Sequence, residues 1–533
     1  MLSTKNKVSC YVLMVSILIV GLLALTLRPI PHFAYLSLSN AEQVQVDYIW
    51  QADISAQTCQ EKLNALDEKV LISCPNCLIK KQQCLSQLNE HQKTLLSHTS
   101  LPFPTIRLHD GAVAYQATDP QLALKACLNA QATQHVHGHQ SSCLPSHGLR
   151  SELHAESHHF WLDILEMALT LTVAGLVSWF IGYLILQYEN LHAKYSHDHI
   201  ASGIQKFHAQ ATPRIGGIAL FGALLATMAA ELLFWINNPQ GSLGFVYFVI
   251  ASTPVFLGGL IEDVSKNVGV MQRLLFSMLS AAMAIGLLGA IINRTDIPLL
   301  DNALVWLPFA IAFTVLGISG LCNAMNIIDG YHGLSAGYAS IALIAITCVA
   351  FQVNDHLLLT ISVALLGGIL GFLKWNWPHG KIFMGDGGAY LLGFSLAELA
   401  ILLLYRNPTV SPWFTAILLA YPIVETLFSM FRRKILAKTK TGQPDAEHLH
   451  QLIFKKIVLR GDASQSEKLT YHNSRVCLYM ATPAVLIASI AVLFWSSSAI
   501  LMPLTLAGCV AYVLVYCFLV HIKKPTVMRE GSC

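Results

Sequence analysis

Four clusters of polar residues interrupt a chain that is otherwise strongly apolar. The first is the adjacent pair Glu262 and Asp263, which is followed by Lys266. Adjacent carboxylates can divide the work between binding a divalent cation and accepting a proton, and a nearby ammonium group can offset phosphate charge. The pattern predicts phosphate chemistry, although an acidic pair after an apolar run is also a common polar end to a helix.

The second cluster places Asn323, Asn326 and Asp329 at three-residue steps before Gly330 and Gly333. This spacing predicts three polar side chains along one face of a helix that ends at the glycines. Such a face can form hydrogen bonds with the edge of a base or a sugar. The alternative is a polar helix end with a glycine cap.

The third and fourth clusters also suit phosphate groups. Asp386 is surrounded by Gly385, Gly387 and Gly388, so backbone amides can approach a phosphate while the carboxylate holds Mg²⁺. His448 and His450 are two residues apart, which is not the spacing of a helical zinc pair, and their basic neighbours favour a diphosphate ligand. A flexible turn and a solvated loop are the respective alternatives.

The composition indicates that these clusters belong to a membrane protein. The 533 residues are 54% hydrophobic and 12% charged, against about 25% charged in soluble domains. The net charge of +3 is scattered in short clusters, which excludes a nucleic-acid-binding surface. Spans need about 20 apolar residues. We predict twelve, at 8–27, 161–186, 215–236, 244–261, 273–293, 303–321, 334–351, 357–373, 388–404, 412–431, 475–496 and 499–520.

Charge and cysteine distribution predict the orientation. Lys5 and Lys7 precede the first span, which is either an uncleaved anchor or a signal peptide, and residues 29–160 contain six cysteines. Both features predict that residues 29–160 are periplasmic, with disulfides. The domains are then 1–28, 29–160 and 161–533. The exported part has a C-x-x-C motif and many histidines, so redox or metal chemistry is the alternative to a disulfide-stapled cap.

Secondary structure in the exported part is mixed, with a helix-like stretch from Gln82 to Leu96 and strands near Ile106 and Val113. Elsewhere the acidic residues gather at the cytoplasmic ends of spans. A transporter would place them nearer the midplane.

Taken in order, the four clusters resemble those of the polyprenyl-phosphate N-acetylhexosamine-1-phosphate transferase superfamily. The Lys206-Phe207-His208 and Pro213-Arg214-Ile215-Gly216-Gly217 segments add a fifth similar element, and the resemblance covers about residues 161–520. It implies an all-α fold with eleven spans, here preceded by one extra span and a small cysteine-rich domain. It also implies a bacterial inner-membrane enzyme with a cytoplasmic site, Mg²⁺ or Mn²⁺ as cofactor, and a UDP-sugar and polyprenyl phosphate as substrates.

The resemblance also implies roles for individual residues. Catalytic roles fall to Glu262, Asp263, Lys266 and His450, substrate binding to Lys206, Asn323, Asn326, Asp329 and His448, and the metal to Asp386 and Asp263. Glu262 stands where the family usually has Asp, His332 where an acid or amide is common, and the histidine motif lacks its last histidine. These departures disfavour the peptidoglycan-precursor branch, and the resemblance leaves the pathway open, with O-antigen or lipopolysaccharide biosynthesis as one expectation. A sensor or transporter with a degenerate core is the alternative function, and a homodimer is left open.

Overall fold

The structure, a computed structural model, describes residues 32–39, 45–53, 78–85, 105–108, 114–116, 143–145, 156–198, 212–234, 239–436, 447–460 and 466–521. These residues fall into two compact units, one with the strands between residues 32 and 145 and one with the helices from residue 166 onward. The predicted first span, Lys206 and four of the six cysteines between residues 29 and 160 lie outside the described residues.

The first unit contains two small antiparallel sheets. Strands β1 (His32–Ser39), β2 (Gln45–Asp53) and β3 (Leu78–Leu85) have the order β2-β1-β3. Strands β4 (Thr105–Leu108), β5 (Ala114–Gln116) and β6 (Cys143–Pro145) have the order β5-β4-β6. The strand predicted near Ile106 is confirmed, and β5 begins one residue after Val113.

The helix predicted from Gln82 is wrong for its first four residues, which belong to β3. Within this strand Gln82 pairs with Leu36 and Cys84 pairs with Ala34, both in β1. Lysine and glutamine have good helix propensity, but pairing with a neighbouring strand overrides a preference that is worth only a few tenths of a kcal/mol per residue, roughly.

The second unit is helical apart from one short hairpin. Strands β7 (His197–Asp198) and β8 (Thr212–Pro213) pair in this hairpin. The helices are α1 (Glu156–Gln187), α2 (Glu189–Ser196), α3 (Gly217–Phe234), α4 (Pro239–Ser265), α5 (Val270–Leu288), α6 (Pro298–Leu304), α7 (Leu307–Ile328), α8 (Leu334–Gln352), α9 (His356–Asn376), α10 (Gly385–Arg406), α11 (Pro412–Leu418), α12 (Ala420–Phe431), α13 (Leu449–Lys456), α14 (Ser466–Leu493) and α15 (Ser498–His521).

Each of the eleven apolar runs predicted from residue 161 onward contains a helix. Among the described residues, nine helices are long and apolar enough to cross a membrane, and α3 is a shorter apolar helix. The run 412–431, predicted as one span, is instead two helices bent by 66°. Pro422 in the first turn of α12 has no N–H to continue the hydrogen bonds of α11. The second unit is the all-α core of a polytopic membrane protein.

Helix α10 lies at the centre of this core. All of its residues from Gly385 to Leu403 are buried, and it packs against α4 and α7. Small residues permit the close approach: a Cβ on Gly393 would lie 2.5 Å from the backbone of Cys322 in α7. The N-terminus of α10 therefore has a fixed position between the ends of α4 and α7, and this is where Asp386 lies.

Candidate active site

The turn that leads into α10 is held by the glycine-containing segment before α3. Phe383 N donates to Pro213 O at 2.8 Å, Gly216 N to Phe383 O at 2.9 Å, and Gly217 N to Met384 O at 2.8 Å. Gly385 has a φ of +75°, and a Cβ there would lie 2.0 Å from the carbonyl oxygen of Arg214. This position therefore requires glycine, for both its conformation and its contacts.

Asp263, at the end of α4, binds the first turn of α10. Its Oδ1 accepts a hydrogen bond from Asp386 N and its Oδ2 accepts one from Gly387 N, each at 2.9 Å. These amides have no acceptor within their own helix, and a carboxylate is favoured at the positive end of the helix dipole. Asp263 is buried. It thus fixes the backbone from which the Asp386 side chain projects.

The Asp386 carboxylate receives donors from three elements. Its Oδ1 accepts from Arg214 Nη2 at 3.2 Å and from Asn326 Nδ2 at 3.0 Å, and its Oδ2 accepts from Arg273 Nη1. Arg214 also lies 3.9 Å from Asp263 Oδ1. Two carboxylates, two guanidinium groups and an amide therefore form a compact, charge-balanced cluster.

The sequence indicated the acids and the amide of this cluster but neither arginine as a site residue. Arg214 belongs to a segment that resembles the family, and nothing in the polar clusters points to Arg273. Arg273 lies in the first turn of the otherwise apolar helix α5. A single cation at the start of a span is a signal that could have identified it.

Glu262 and Lys266, predicted beside Asp263, shape the loop that follows α4. Glu262 Oε2 accepts from Val268 N at 2.7 Å, and Lys266 adopts a φ of 56°. Neighbouring helical residues point about 100° apart. The two adjacent acids consequently differ in their surroundings: Asp263 caps α10, while Glu262 stabilises the loop to α5. Their catalytic roles stay predictions.

Asp329 lies at the end of α7, three residues after Asn326, as the predicted polar face requires. Its Oδ1 accepts from Ser335 Oγ at 2.5 Å, and Ser335 Oγ lies 3.8 Å from Met384 Sδ in the turn before α10. Burial raises the pKa of Asp329 to about 6, and the Ser335 hydrogen bond opposes this shift. Asn323 is half-buried in the same helix.

His332 contributes to the turn after Asp329 and is buried. Its backbone N donates to Asn473 Oδ1 at 2.8 Å, and its Nδ1 lies 3.2 Å from Pro378 O. Its neighbour Gly333, with a φ of +75°, donates from its N to Asn376 Oδ1 at 2.7 Å. The histidine that departs from the family pattern therefore has a structural place in this turn.

His448 and His450 are buried side by side at the start of α13. Their rings stack with centroids 5.4 Å apart and an interplanar angle of 9°. His450 also meets the ring of Tyr331 edge-on, with centroids 5.5 Å apart, so it lies near the turn that follows Asp329. Burial and the neighbouring His448 hold the pKa of His450 well below its usual range. The solvated loop considered as an alternative is therefore wrong for these two residues.

Two residues of α12, which the sequence did not indicate, contact these histidines. Glu425 Oε1 lies 2.9 Å from His448 Nδ1, and Tyr421 Oη lies 3.0 Å from His450 Nδ1. Both come from the run predicted as an uninterrupted span. Glu425 is also a carboxylate within an apolar segment, which is a recognised sign of function.

A second acid that the sequence did not indicate contradicts the expectation that acids avoid the middle of spans. Glu398 is fully buried in the middle of α10, and neither carboxylate oxygen has a hydrogen-bond partner among the described residues. It lies far from the span ends at which the other acids of the site were predicted. This single acid does not form a cluster of the kind that a transport pathway needs.

The residues around Asp386 fit a Mg²⁺ ion. Mg²⁺ is usually bound by one or two carboxylates together with water and substrate phosphate oxygens. Asp386 lies within a cluster that also supplies Asp263 and the amide of Asn326, while the described residues contain no group of three or more His, Cys, Asp or Glu side chains that could hold a metal ion by itself. The donor set thus suits a metal shared with a phosphate substrate. Asp386 and Asp263 stay the predicted ligands.

Comparisons with known proteins identify the family of this chain. A family model described as glycosyl transferase family 4 matches residues 245–404. The chain is 32% identical over 249 residues to a probable undecaprenyl-phosphate N-acetylglucosaminyl 1-phosphate transferase from Bacillus subtilis, covering 46% of this chain and 66% of that protein. It is also 32% identical over 243 residues to a phospho-N-acetylmuramoyl-pentapeptide-transferase from Rubrobacter xylanophilus, covering 42% and 71%.

A third relative is a decaprenyl-phosphate N-acetylglucosaminephosphotransferase from Mycolicibacterium smegmatis, which is 31% identical over 277 residues, covering 46% of this chain and 66% of that protein. The chain thus spans about two thirds of the length of these relatives. Identity is equal for the Bacillus and Rubrobacter proteins, so it does not distinguish the N-acetylglucosamine branch from the peptidoglycan-precursor branch. From these matches, the chain belongs to the polyprenyl-phosphate hexosamine-1-phosphate transferase superfamily, within glycosyl transferase family 4.

Proposed function

We propose that this protein transfers an N-acetylhexosamine 1-phosphate from a UDP-sugar to a polyprenyl phosphate and releases UMP. The observation that carries the proposal is the Asp386 carboxylate, fixed by Asp263 and surrounded by Arg214, Arg273 and Asn326 at the end of a buried membrane helix. Such a cluster can accept two anionic phosphates at a membrane surface, where a lipid tail and a soluble nucleotide can meet.

In the proposed reaction an oxygen of the lipid phosphate attacks the β-phosphorus of the UDP-sugar. A bond forms between them, the bond from the β-phosphorus to the oxygen of the α-phosphate breaks, and UMP leaves with the electron pair. Two anions must approach one another, so Arg214 and Arg273 are placed to offset charge as the reaction proceeds. When bound, Mg²⁺ would neutralise developing charge on the transferred phosphate.

We assign the remaining roles from the family resemblance and the site geometry. Glu262, Asp263, Lys266 and His450 belong to the catalytic group, and His450 is expected to act as a neutral imidazole, since its pKa is low. The sugar nucleotide is expected to contact polar residues that include the end of α7 and the histidine just before α13: Lys206, Asn323, Asn326, Asp329 and His448.

The proposal also covers topology and pathway. Eleven spans form the transferase core in the bacterial inner membrane, with the site on the cytoplasmic side, and one additional span at 8–27 delivers residues 29–160 to the periplasm. The product would start a cell-surface polysaccharide such as an O-antigen. UDP-N-acetylglucosamine is the first donor to test, since two of the relatives described above are N-acetylglucosamine 1-phosphate transferases by name.

The test is an assay of UMP release by the purified protein with Mg²⁺, polyprenyl phosphate and UDP-N-acetylglucosamine. UMP together with a lipid diphosphate sugar would support both reaction and donor, while release only with another UDP-N-acetylhexosamine would change the donor. Asp386→Asn should abolish release, whereas Asp301→Asn should not, because Asp301 caps a separate loop through Thr295 N at 2.7 Å. Silence with every donor would favour a sensor with a degenerate core.

A further inference from the structure

We propose that Glu425 is a positioning residue: its carboxylate holds the segment His448-Leu449-His450 in the orientation in which the imidazoles meet the substrate diphosphate. The inference rests on the function proposed above and extends it to a residue in the bent helix pair α11 and α12. Glu425 is 1% exposed, so its charge is sheltered from water by the protein.

Both carboxylate oxygens of Glu425 are directed at this segment. Oε1 lies 2.9 Å from His448 Nδ1, and Leu449 N donates to Oε1 at 3.3 Å and to Oε2 at 3.1 Å. Oε2 also lies 4.0 Å from His450 Nδ1. Leu449 is the first residue of α13. The carboxylate therefore caps this helix and binds the side chain that precedes it.

One face of α12 orients both rings. Tyr421 and Glu425 are four residues apart, so they are neighbours on the helix surface. Tyr421 Oη contacts Nδ1 of His450 while Glu425 contacts Nδ1 of His448. When a partner fixes Nδ1 of an imidazole, it sets both the tautomer and the ring plane. For His450 this leaves Nε2 as the ring nitrogen that would meet a phosphate oxygen.

A helix cap alone does not explain a buried carboxylate at this place. Neutral serine or asparagine side chains cap helices well, and burial of a charged group is costly unless it is fully hydrogen-bonded. Glu425 also contacts His448, and a neutral capping side chain would not orient that ring. A second glutamate, Glu447, lies directly before the same segment and forms an ion pair with Arg432. Its side chain is 62% exposed, so the pair contributes little, and Glu447 is a matched control for Glu425.

The kinetic test is a double-mutant cycle of Glu425→Gln and His448→Ala, with UMP release as the assay. We expect Glu425→Gln to lower kcat/KM by on the order of 10- to 100-fold, by analogy with the loss of a carboxylate that orients a metal-binding histidine. In the His448→Ala background the same change should cost clearly less than in the wild-type background, because the contact with that ring is already lost and only the cap of Leu449 N remains to be removed. Glu447→Gln should resemble wild type. Independent, additive effects of the two substitutions would overturn the proposal.

An amide hydrogen-exchange measurement decides the question without activity. In Glu425→Gln the amides of residues 448–452 should exchange faster than in wild type, with α10 unchanged, and Glu447→Gln should leave both regions unchanged. Glu425→Asp, which keeps the charge, should be intermediate and serves if Glu425→Gln does not fold. If the wild-type protein does not release UMP, the proposed function is refuted. If amide exchange is unchanged in the Glu425 variants, the positioning role itself is refuted.

Discussion

At the scale of single residues, the adjacent acids Glu262 and Asp263 have separate tasks. Asp263 accepts hydrogen bonds from the backbone amides of Asp386 and Gly387, while Glu262 accepts one from the amide of Val268 in an exposed loop. Removal of Asp263 leaves two buried amides without an acceptor, which costs about 1–3 kcal/mol for each such group. Removal of Glu262 exposes its amide partner to water instead.

We therefore expect Asp263→Ala to lower the midpoint of thermal unfolding more than Glu262→Ala does. Thermal unfolding in detergent, followed by the fraction that stays monodisperse in size-exclusion chromatography, measures the difference. Asp263→Ala should also lose UMP release, because the backbone of Asp386 is no longer fixed. Equal stability of the two variants would contradict the capping role.

The half-buried Asp329 leads to a prediction about pH. Burial raises its pKa to about 6, above the value of about 3.9 for an exposed aspartate. Between these values the folded protein keeps a proton that the unfolded chain has released, so the contribution of Asp329 to stability is present at low pH and is lost as the pH rises through 6. The ionised side chain is thus a cost at pH 8.

The side chain in Asp329→Asn is neutral at every pH. The stability of this variant relative to wild type should therefore increase as the pH rises. Its stability advantage in thermal unfolding should be larger at pH 8 than at pH 5, by on the order of 1 kcal/mol. Asn323→Ala, in the same helix without a titrating group, is the control and should show the same difference from wild type at both pH values. A difference for Asp329→Asn that does not change with pH would contradict the prediction.

Residue types and spacing predicted the acids and amides of the site, because carboxylates near hydrocarbon are rare and conspicuous. They did not predict which residues would surround Asp386. Arg273 is 113 positions away from Asp386 in the chain, and only the packing of α5 beside α10 brings the two together. For the same reason the contact of Glu425 with His448 could not be read from the sequence.

At the scale of elements, glycines set how closely α3 and α4 approach α10. A Cβ on Gly259 would lie 2.5 Å from Gly387 N, and one on Gly217 would lie 2.4 Å from Gly388 N. Both contacts involve backbone atoms, which cannot move away without displacing the turn around Asp386. Gly286 differs, because a Cβ there would meet nothing within 4 Å.

The matched pair Gly259→Ala and Gly286→Ala tests this packing. Gly259→Ala should lower thermal stability and UMP release together, because α4 must shift away from the first turn of α10. Gly286→Ala should be neutral or stabilising by up to about 1 kcal/mol, since alanine is the better helix former. A Gly259→Ala protein with wild-type stability and activity would show that α4 and α10 tolerate a wider separation.

Most elements of the core were predictable because an apolar run of about 20 residues must form a helix in lipid. The same rule cannot locate a break inside such a run. The bend between α11 and α12 places Tyr421 and Glu425 beside the histidines, and the hydropathy of the run does not indicate this bend. The strand at Gln82–Leu85 was missed for a related reason, since its partner β1 is distant in sequence.

At the scale of the whole molecule, the described contacts of the site are all internal to the second unit. Asp386, Asp263 and Glu425 are bound by residues between Arg214 and His450, and the strands of the first unit belong to a separate compact unit. From this division we expect that residues 29–160, the segment predicted to be exported, are not needed for the chemistry itself.

A chain in which a Gly/Ser linker replaces residues 29–155 tests this separation while it keeps the predicted first span and the start of α1. Because every described partner of Asp386 remains, UMP release per unit of membrane-inserted protein should stay within about threefold of wild type, as for mutations remote from a site. Asp386→Asn in the same linker chain should be inactive, which excludes background release. A tenfold or larger loss at equal membrane abundance would mean that residues 29–155 act on the transferase core, and would make the two units functionally dependent.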